Sequence, residues 1–215
     1  MRLRNIPGLE ETIHKDYPAV MIHAAASYQG KWRAAAFGNS QPLQLELGSG
    51  MGGFVLAKAQ QEPLVNFIGL EKREEALVKT CKRSVGLGLH NLRLLLEDVG
   101  DLAKIFAPSE IERIYLNFSD PWPKNKHEKR RLTHKGFLAL YAQVLVEQGE
   151  VHLKTDNQQL FEYSLNSFEA AGWQLANISW DYPAQAAYLD VPTEYESKFR
   201  NKGQKIFRLE AKKPS

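Results

Sequence analysis

The sequence lacks several features that would place a protein in a class at once. Only one of its 215 residues is a cysteine, Cys81, so no internal disulfide can form and a reducing compartment is expected. No run of about 18 apolar residues occurs, which argues against a membrane-spanning helix, and the first residues lack the apolar segment of a secretory signal. The six histidines are dispersed, and with one cysteine they show no metal-ligand spacing. We therefore expect a cytoplasmic protein with no metal and no membrane partner.

Net charge is also scarce, because the chain carries only +3 at pH 7. The charge is unevenly placed. From Trp122 to Gly136 there are six Lys and Arg residues against one acid, Glu128, so this window carries +5 and the rest of the chain carries −2. One basic segment on an otherwise slightly acidic chain is typical of phosphate binding at one place. A solvated surface loop would have the same composition.

The hydrophobic content of 43% is sufficient for one domain with a proper core. Residues 1–40 show little periodicity and are interpreted as an N-terminal arm or lead-in, whereas 41–215 are interpreted as a single domain. Short apolar runs there alternate with helical patterns. The predicted strands are 43–47, 65–71, 92–98, 113–118, 149–155, 173–180 and 204–211, and the predicted helices are 72–85, 134–147 and 157–171. This alternation predicts an α/β fold with a mainly parallel seven-stranded sheet, helices on both faces and an antiparallel hairpin at one edge.

A cluster of glycines follows the first predicted strand. Gly48, Gly50 and Gly53 satisfy the GxGxxG fingerprint of dinucleotide-binding loops, in which the backbone approaches its ligand closely. Glu71 ends the second predicted strand, where a carboxylate can bind ribose hydroxyls. NAD and S-adenosylmethionine both contain adenosine, so the loop alone is compatible with either cofactor.

Acidic residues near the strand ends favour S-adenosylmethionine. Glu46 lies just before the glycine turn, where a carboxylate is unfavourable beside a pyrophosphate but favourable near an ammonium or sulfonium group. Glu97 and Asp98 end the third predicted strand, where one of them can accept a hydrogen bond from the adenine amino group. Exposed strand residues, helix caps and turns would also place acids at these positions.

The fourth predicted strand leads into a stiff loop, since two prolines flank Trp122 and Asp120 and Lys124 stand on either side of them. Together with motifs elsewhere in the sequence, this loop resembles the bacterial tRNA (guanine-N7-)-methyltransferase family. The matching motifs are GKW (30–32), ELGSGMG (46–52), GLEKR (69–73), NFSDPWPK (117–124), KHEKRRL (126–132), LKTD (153–156) and TEYESKF (193–199). Ser119 departs from the proline that many members have there. The resemblance covers nearly the whole chain and implies a Rossmann-like S-adenosylmethionine-dependent methyltransferase fold.

The resemblance also implies roles for individual residues. The S-adenosylmethionine and catalytic site would be lined by Glu46, Glu71, Asp98 and Asp120, with Asp120 as the catalytic residue. The glycine loop and the acidic strand ends add Gly48, Gly50 and Glu97 to the predicted cofactor-binding residues. Lys124, Asp156, Thr193 and Glu196 would contact the target guanine or its nucleotide. Lys126, His127, Glu128, Lys129, Arg130 and Arg131 would contact the RNA. The family's usual target is the guanine at position 46 in the variable loop of tRNA. We expect tRNA as partner, no DNA, and a monomer or a homodimer.

Methylation at N7 fits the residue types present. Guanine N7 has a lone pair and no proton, so the transfer needs no strong base, and no Ser-His-Asp or Cys-His arrangement lies near the proposed site. Asp156 or Glu196 could accept the N1–H and amino group of guanine, although Asp156 could equally cap the helix 157–171. Trp122 or Tyr195 could stack on an extruded base or belong to the core.

Three other functions stay open on the sequence alone. Asp120-Pro121-Trp122 is somewhat similar to the Asp-Pro-Pro-aromatic loops of enzymes that methylate an exocyclic amino group of a base. The GxGxxG match would also suit a nicotinamide-dependent oxidoreductase. That function would not explain the loop at Asp120 or the basic segment. An RNA-binding module without catalytic activity is the third alternative.

Overall fold

The structure is a computed structural model that describes Ile13, residues 15–183, Val191 and residues 194–214. The chain divides into two compact units, Met1–Ala107 and Pro108–Ser215. Each unit has its own strands and helices and is described separately. No helix in the described part of the chain is long and apolar enough to cross a membrane.

The first unit contains three parallel strands flanked by helices. Its strands are β1 (Leu43–Leu47), β2 (Asn66–Glu71) and β3 (Leu92–Leu96), and its α-helices are α1 (Gly53–Gln61), α2 (Glu74–Ser84) and α3 (Leu102–Ile105). The order is β3-β2-β1, and Leu45 lies opposite Ile68 in the register of β1 and β2. Every residue of β1 and β2 is buried. Strands that are buried along their whole length are typical of a parallel sheet that is covered on both faces.

Helix α1 was not among the helices predicted from the sequence. Phe54, Val55, Leu56 and Ala59 are all buried, so the helix is apolar around most of its circumference. A helix without a polar face shows no amphipathic period, and therefore gives no 3.6-residue signal.

The lead-in segment packs against the first unit through Trp32. Its side chain is fully buried, and Nε1 donates a hydrogen bond to the carbonyl oxygen of Ile105 at 2.9 Å. Tyr28 stacks on Trp32 with ring centroids 5.1 Å apart. The ring of Phe106 is tilted against that of Trp32, with centroids 5.4 Å apart. Met21 also forms a parallel bridge with Leu94 of β3. The described part of the lead-in therefore belongs to the hydrophobic core of this unit.

The second unit contains four strands and three helices. Its strands are β4 (Ile111–Asn117), β5 (Leu145–Thr155), β6 (Gln174–Ser179) and β7 (Phe207–Lys212), and its α-helices are α4 (Lys135–Val144), α5 (Gln158–Ala170) and α6 (Glu194–Arg200). The order is β4-β5-β7-β6. β4 and β5 are parallel, whereas β7 runs antiparallel to both β5 and β6. The predicted antiparallel pairing of the last two strands is confirmed, and β6 lies at the edge.

Several predicted boundaries were wrong. The predicted helix 134–147 ends at Val144, because Leu145 already pairs with Ile111 of β4. A register shift follows, and the ladder resumes where Arg113 lies opposite Glu150. Strand β5 is therefore four residues longer at its start than predicted. The predicted strand 92–98 ends at Leu96, so the two acids that follow lie in the loop beyond it.

Replacing Trp32 tests how much the lead-in stabilises the first unit. We expect Trp32→Ala to lower the free energy of unfolding by about 3–5 kcal/mol, because a large buried side chain leaves a cavity. Trp32→Phe keeps much of the ring contact and removes the N–H donor, so its cost should be smaller, about 1–3 kcal/mol. Urea denaturation of both variants measures these values. A loss of under about 1 kcal/mol for Trp32→Ala would contradict a role in the core.

Candidate functional site

The glycine loop after β1 is held against the end of β2 by main-chain hydrogen bonds. The N–H groups of Gly48 and Ser49 both donate to the carbonyl oxygen of Leu70, at 2.8 and 3.0 Å. Gly48 and Gly50 have φ values of 72° and 55°, which side chains rarely tolerate. A Cβ atom built at either glycine would meet no other atom within 4 Å. The loop therefore combines a tight turn with open space directly over its backbone.

Glu71 fixes this loop from the end of β2. Its carboxylate is almost fully buried, and Oε2 accepts a hydrogen bond from the Gly50 N–H at 2.9 Å. Oε1 accepts from the backbone N–H of Arg73 at 3.0 Å and from its Nε at 3.3 Å. A carboxylate has about four acceptor sites. Glu71 thus retains acceptor capacity for a ligand hydroxyl while its protein contacts set the shape of the loop.

Two side chains of α2 also hold the loop, and sequence reasoning missed both. The hydroxyl of Thr80 donates to the carbonyl oxygen of Gly50 at 3.1 Å, and Arg83 Nη1 donates to that of Met51 at 2.9 Å. These contacts join residues 30 and 32 positions apart. Nothing in the local pattern of α2 signals them.

The other predicted cofactor residues of this unit lie at the same strand ends. Glu46 is buried in β1, two residues before Gly48. Asp98 is exposed beyond β3, and its Oδ1 accepts a hydrogen bond from the Gly100 N–H at 2.8 Å. Glu97 beside it is half-buried. Because neighbouring parallel strands end at one edge of their sheet, the first unit presents acids from all three strands around an open glycine loop. This arrangement fits a ligand with hydroxyl and cationic groups, and S-adenosylmethionine has both.

In the second unit, β4 leads directly to Asp120. Phe118 adopts a left-handed backbone conformation with φ of 52°, and its N–H donates to the carbonyl oxygen of Lys154 at 2.8 Å. The turn brings Asp120 to the surface, where its carboxylate makes no hydrogen bond or ion pair with residues the structure describes. Asp120 therefore has a charge that is available to a ligand.

The basic segment forms a 3-10 helix over Asn125–Arg130 that folds around Trp122. The guanidinium of Arg130 lies 4.9 Å from the centre of the Trp122 ring, and His127 meets that ring edge-on at 5.6 Å. Arg131 donates to the carbonyl oxygen of Trp122 at 3.2 Å and lies over the ring of Tyr163 at 4.3 Å. Trp122 is thus an internal support of the segment in this structure.

The remaining cations of the segment point outward. Lys124, Lys126 and Lys129 are exposed, and they make no polar contact with described residues. Glu128 is exposed and accepts a hydrogen bond from the hydroxyl of Tyr163 at 3.0 Å. The segment therefore offers a set of accessible positive charges on a locally braced turn.

The predicted substrate residues divide into exposed and buried groups. Asp156 is half-buried and makes no polar contact with described residues, because the helix cap is Asn157, whose Oδ1 accepts from the Leu160 N–H. Tyr195 is 53% exposed and stacks on Phe118. Glu196 is fully buried in an ion pair. Thr193 lies outside the described residues.

Cys81, Glu150 and His152 have shifted pKa values and are not among the predicted site residues. Burial raises the pKa of Cys81 to about 12, so its thiol is a poor nucleophile at neutral pH. A hydrogen bond from His152, together with Arg113, lowers the pKa of Glu150 to about 2. Burial lowers the pKa of His152 itself. The Arg113, Glu150 and His152 cluster joins β4 to β5, away from the carboxyl ends of the strands.

Comparison with known proteins identifies close relatives. A family model described as "Putative methyltransferase" matches residues 40–209. The tRNA (guanine-N(7)-)-methyltransferase of Geobacillus kaustophilus (strain HTA426) is 47% identical over 214 residues, covering 100% of this chain and 98% of the relative. That of Brevibacillus brevis (strain 47) is 46% identical over 212 residues, covering 98% of both.

Solved structures with little sequence identity have the same fold. The 16S rRNA methyltransferase KamB matches with a TM-score of 0.62 and 16% identity, over 81% of this chain and 89% of that one. An antibiotic-related methyltransferase matches with a TM-score of 0.66 and 13% identity, over 93% and 98%. The predicted Rossmann-like methyltransferase fold with a mainly parallel seven-stranded sheet is confirmed.

Replacing Glu71 with Gln tests its role in shaping the glycine loop. The amide nitrogen of Gln donates where the carboxylate accepts, so one N–H group of the loop loses its partner. We expect the Kd for S-adenosylmethionine to rise about tenfold, or roughly 1.4 kcal/mol. Isothermal titration calorimetry measures it. Glu75→Gln removes the same charge from α2 and should change the Kd by less than about twofold. Equal Kd values for both variants would refute the role.

Proposed function

This chain belongs to the bacterial tRNA (guanine-N(7)-)-methyltransferase family, and from that premise we propose how its residues divide the reaction. It is a methyltransferase that transfers a methyl group from S-adenosylmethionine to N7 of a guanine in tRNA. The guanine at position 46 of the variable loop is our proposed target. The observation that carries this function is the near-full-length similarity to those relatives, because the glycine loop alone would also suit another adenosine-containing cofactor.

We propose that the acidic residues and the glycine loop at the strand ends bind the cofactor. The proposed cofactor-binding residues are Glu46, Gly48, Gly50, Glu71, Glu97, Asp98 and Asp120. The open space over Gly48 and Gly50 supports close approach of a ligand to the backbone. The buried carboxylate of Glu71 can accept from ribose hydroxyls in addition to its protein contacts. S-adenosylmethionine supplies an electrophilic methyl group on a sulfonium.

Methyl transfer to guanine N7 does not require a general base from the protein. Guanine N7 has a lone pair and no proton, so no side chain has to remove one. The residues mainly hold the base in line with the methyl group, and orientation of this kind can contribute roughly 7–11 kcal/mol. Methylation at N7 leaves a positive charge on the purine. The exposed carboxylate of Asp120, which no described side chain neutralises, would favour that charge as it forms.

Recognition of guanine is the task we propose for the surface near the ends of β4 and β5. Asp156 would accept the N1–H and amino group of the base, and its carboxylate makes no contact with described residues that it would have to give up. Tyr195, with half of its ring surface exposed, would stack on the base. Lys124 and Thr193 complete the proposed contacts to the nucleotide. Glu196 belongs to the proposed substrate-binding set through the helix that carries Tyr195, because its own carboxylate is buried in an ion pair.

RNA binding is the role we propose for the basic segment. Its residues are Lys126, His127, Glu128, Lys129, Arg130 and Arg131. Exposed Lys126 and Lys129 suit phosphate contacts, whereas Arg131 supports the segment through Trp122 and Tyr163. We further propose that the chain acts in the cytoplasm as a monomer or homodimer, with no DNA or membrane partner.

One experiment tests the function directly. The protein is incubated with unmodified tRNA and S-adenosylmethionine carrying a labelled methyl group, and the digested nucleosides are identified by mass spectrometry. We expect the label in 7-methylguanosine, and at position 46 when fragments are mapped. Label in an N2-methylguanosine or a methyladenosine would overturn the N7 assignment. If no label is transferred, the result would favour an RNA-binding module without catalytic activity.

Asp120→Asn tests the catalytic residue. The amide keeps the shape of the side chain and removes its charge, so we expect kcat to fall by about 100-fold. S-adenosylmethionine should still bind, with a Kd changed by less than about tenfold, because Asp120 is one of several proposed cofactor contacts. Single-turnover kinetics and calorimetry measure the two quantities. Asp181→Asn changes an exposed acid of the same unit and should keep full activity. A kcat near that of the wild type for Asp120→Asn would refute the assignment.

Neutralising two exposed lysines tests the basic segment. In a Lys126→Gln/Lys129→Gln variant we expect the KM for tRNA to rise about tenfold, with kcat retained. The slope of log binding constant against log salt concentration should fall by about 2 units. A Lys15→Gln/Lys82→Gln variant removes the same charge from exposed positions of the first unit. An identical salt slope in the two variants would contradict binding at this segment.

A further inference from the structure

A lysine is buried at the carboxyl end of β5, next to the residues proposed to meet the target nucleotide. Lys154 has a side chain only 3% exposed, and its Nζ donates to Glu196 Oε2 at 3.2 Å. Nζ also lies 5.3 Å from the centre of the Tyr182 ring. A buried ammonium is costly without a partner. The contact between Lys154 and Glu196 therefore fixes both side chains.

Glu196 is held from two sides. Its second oxygen, Oε1, accepts hydrogen bonds from Arg200 Nη2 at 2.7 Å and from Arg200 Nε at 3.0 Å. Glu196 belongs to α6, and Lys154 belongs to β5. The ion pair thus docks α6 against β5, across 42 positions of sequence. In this arrangement the Glu196 carboxylate faces protein cations, so its direct effect is on the placement of α6.

The same lysine is also attached to β4 through its main chain. Its carbonyl oxygen accepts the hydrogen bond from the Phe118 N–H at 2.8 Å. The Phe118 ring stacks on Tyr195 with centroids 6.2 Å apart and on Phe199 at 6.5 Å. Lys154 therefore contacts, directly or through one neighbour, the turn before Asp120 and the helix that carries Tyr195. Asp156 lies two residues further along the chain, just beyond the end of β5.

We propose that Lys154 is a positioning residue for the target nucleotide, a role that rests on the proposed function. Its ammonium group holds Glu196, and so keeps the Tyr195 face of α6 against the Phe118 turn. Loss of that charge removes one of the cations that hold the buried Glu196 carboxylate, and so loosens α6. The base would then be held less well relative to Asp156, and the rate of methyl transfer falls because catalysis here depends mainly on orientation.

Arg113 provides a matched comparison within the same pair of strands. Its Nη2 donates to Glu150 at 3.1 Å, so this ion pair links β4 to β5, whereas the Lys154 pair links β5 to α6. It lies four residues before the Lys154 level in the register, away from the carboxyl ends of the strands. A general loss of sheet stability would lower kcat in Arg113→Met as well as in Lys154→Met, although the Arg113 pair is about one-third exposed and its loss should cost less stability. A positioning role for Lys154 would separate them.

The test compares Lys154→Met, Arg113→Met and the wild type. For Lys154→Met we expect kcat with tRNA to fall about tenfold, with the Kd for S-adenosylmethionine and the salt slope of tRNA binding within about twofold of wild type. Amide hydrogen exchange in 194–200 should become faster. Arg113→Met should keep wild-type kcat and wild-type exchange in that segment. Lys154→Arg, which retains the charge, should recover part of the lost rate.

Glu196→Gln and the double variant Lys154→Met/Glu196→Gln complete the cycle. If the two residues act as one pair, the double variant should be no slower than the slower single variant. A wild-type kcat for Lys154→Met would overturn the proposal, as would unchanged exchange in α6. If the wild type forms no 7-methylguanosine, the proposed function fails, and the exchange experiment still decides whether Lys154 holds α6. Should Lys154→Met not fold, Lys154→Arg and Glu196→Gln decide it by the same two readouts.

Discussion

Parallel pairing places the carboxyl ends of neighbouring strands side by side, and the candidate site depends on this constraint in both units. In the first unit, β1, β2 and β3 end at one edge, which brings the glycine loop, Glu71 and the turn at Asp98 together. In the second, β4 and β5 run parallel, so the Phe118 turn and Asp156 follow adjacent strand ends. β1 and β2 are buried along their whole length. The candidate residues lie at the carboxyl ends of the strands or just beyond them.

The acids at these edges separate into two kinds according to how their charge is satisfied. Glu71 and Glu196 are buried, and protein donors engage both oxygens of each carboxylate. A buried charge that lost these partners would be strongly unfavourable, so such residues maintain the geometry of loop and helix. Asp120 and Asp156 are more accessible and have no polar contact among described residues. Their charge is not already neutralised, which leaves it available for a purine and its developing positive charge.

Sequence reasoning predicted best where local chemistry determines the outcome. The strand β1 was predicted from its sequence, and every one of its residues is buried. The glycines after it have the left-handed backbone conformation that the sequence suggested. Helix α1 escaped prediction because it is apolar on most sides, and the start of β5 was misplaced because pairing with Ile111 overrides the helical pattern before it. The ion pair of Lys154 and Glu196 joins residues 42 positions apart. No spacing rule brings such a pair together, so only the fold reveals it.

The basic segment shows how one set of cations can serve two purposes. Arg131 is half-buried against Trp122 and Tyr163, so its charge is used to fix the turn. Arg130 covers the Trp122 ring and keeps an exposed position. A flexible basic loop would lose conformational entropy when it ordered on a phosphate backbone, and that loss would weaken binding. Because the turn is already braced by its own arginines and by Tyr163, Lys126 and Lys129 are presented from a shaped surface. Trp122, which the sequence suggested as a stacking residue or as part of the core, supports this surface through its contacts with Arg130 and Arg131.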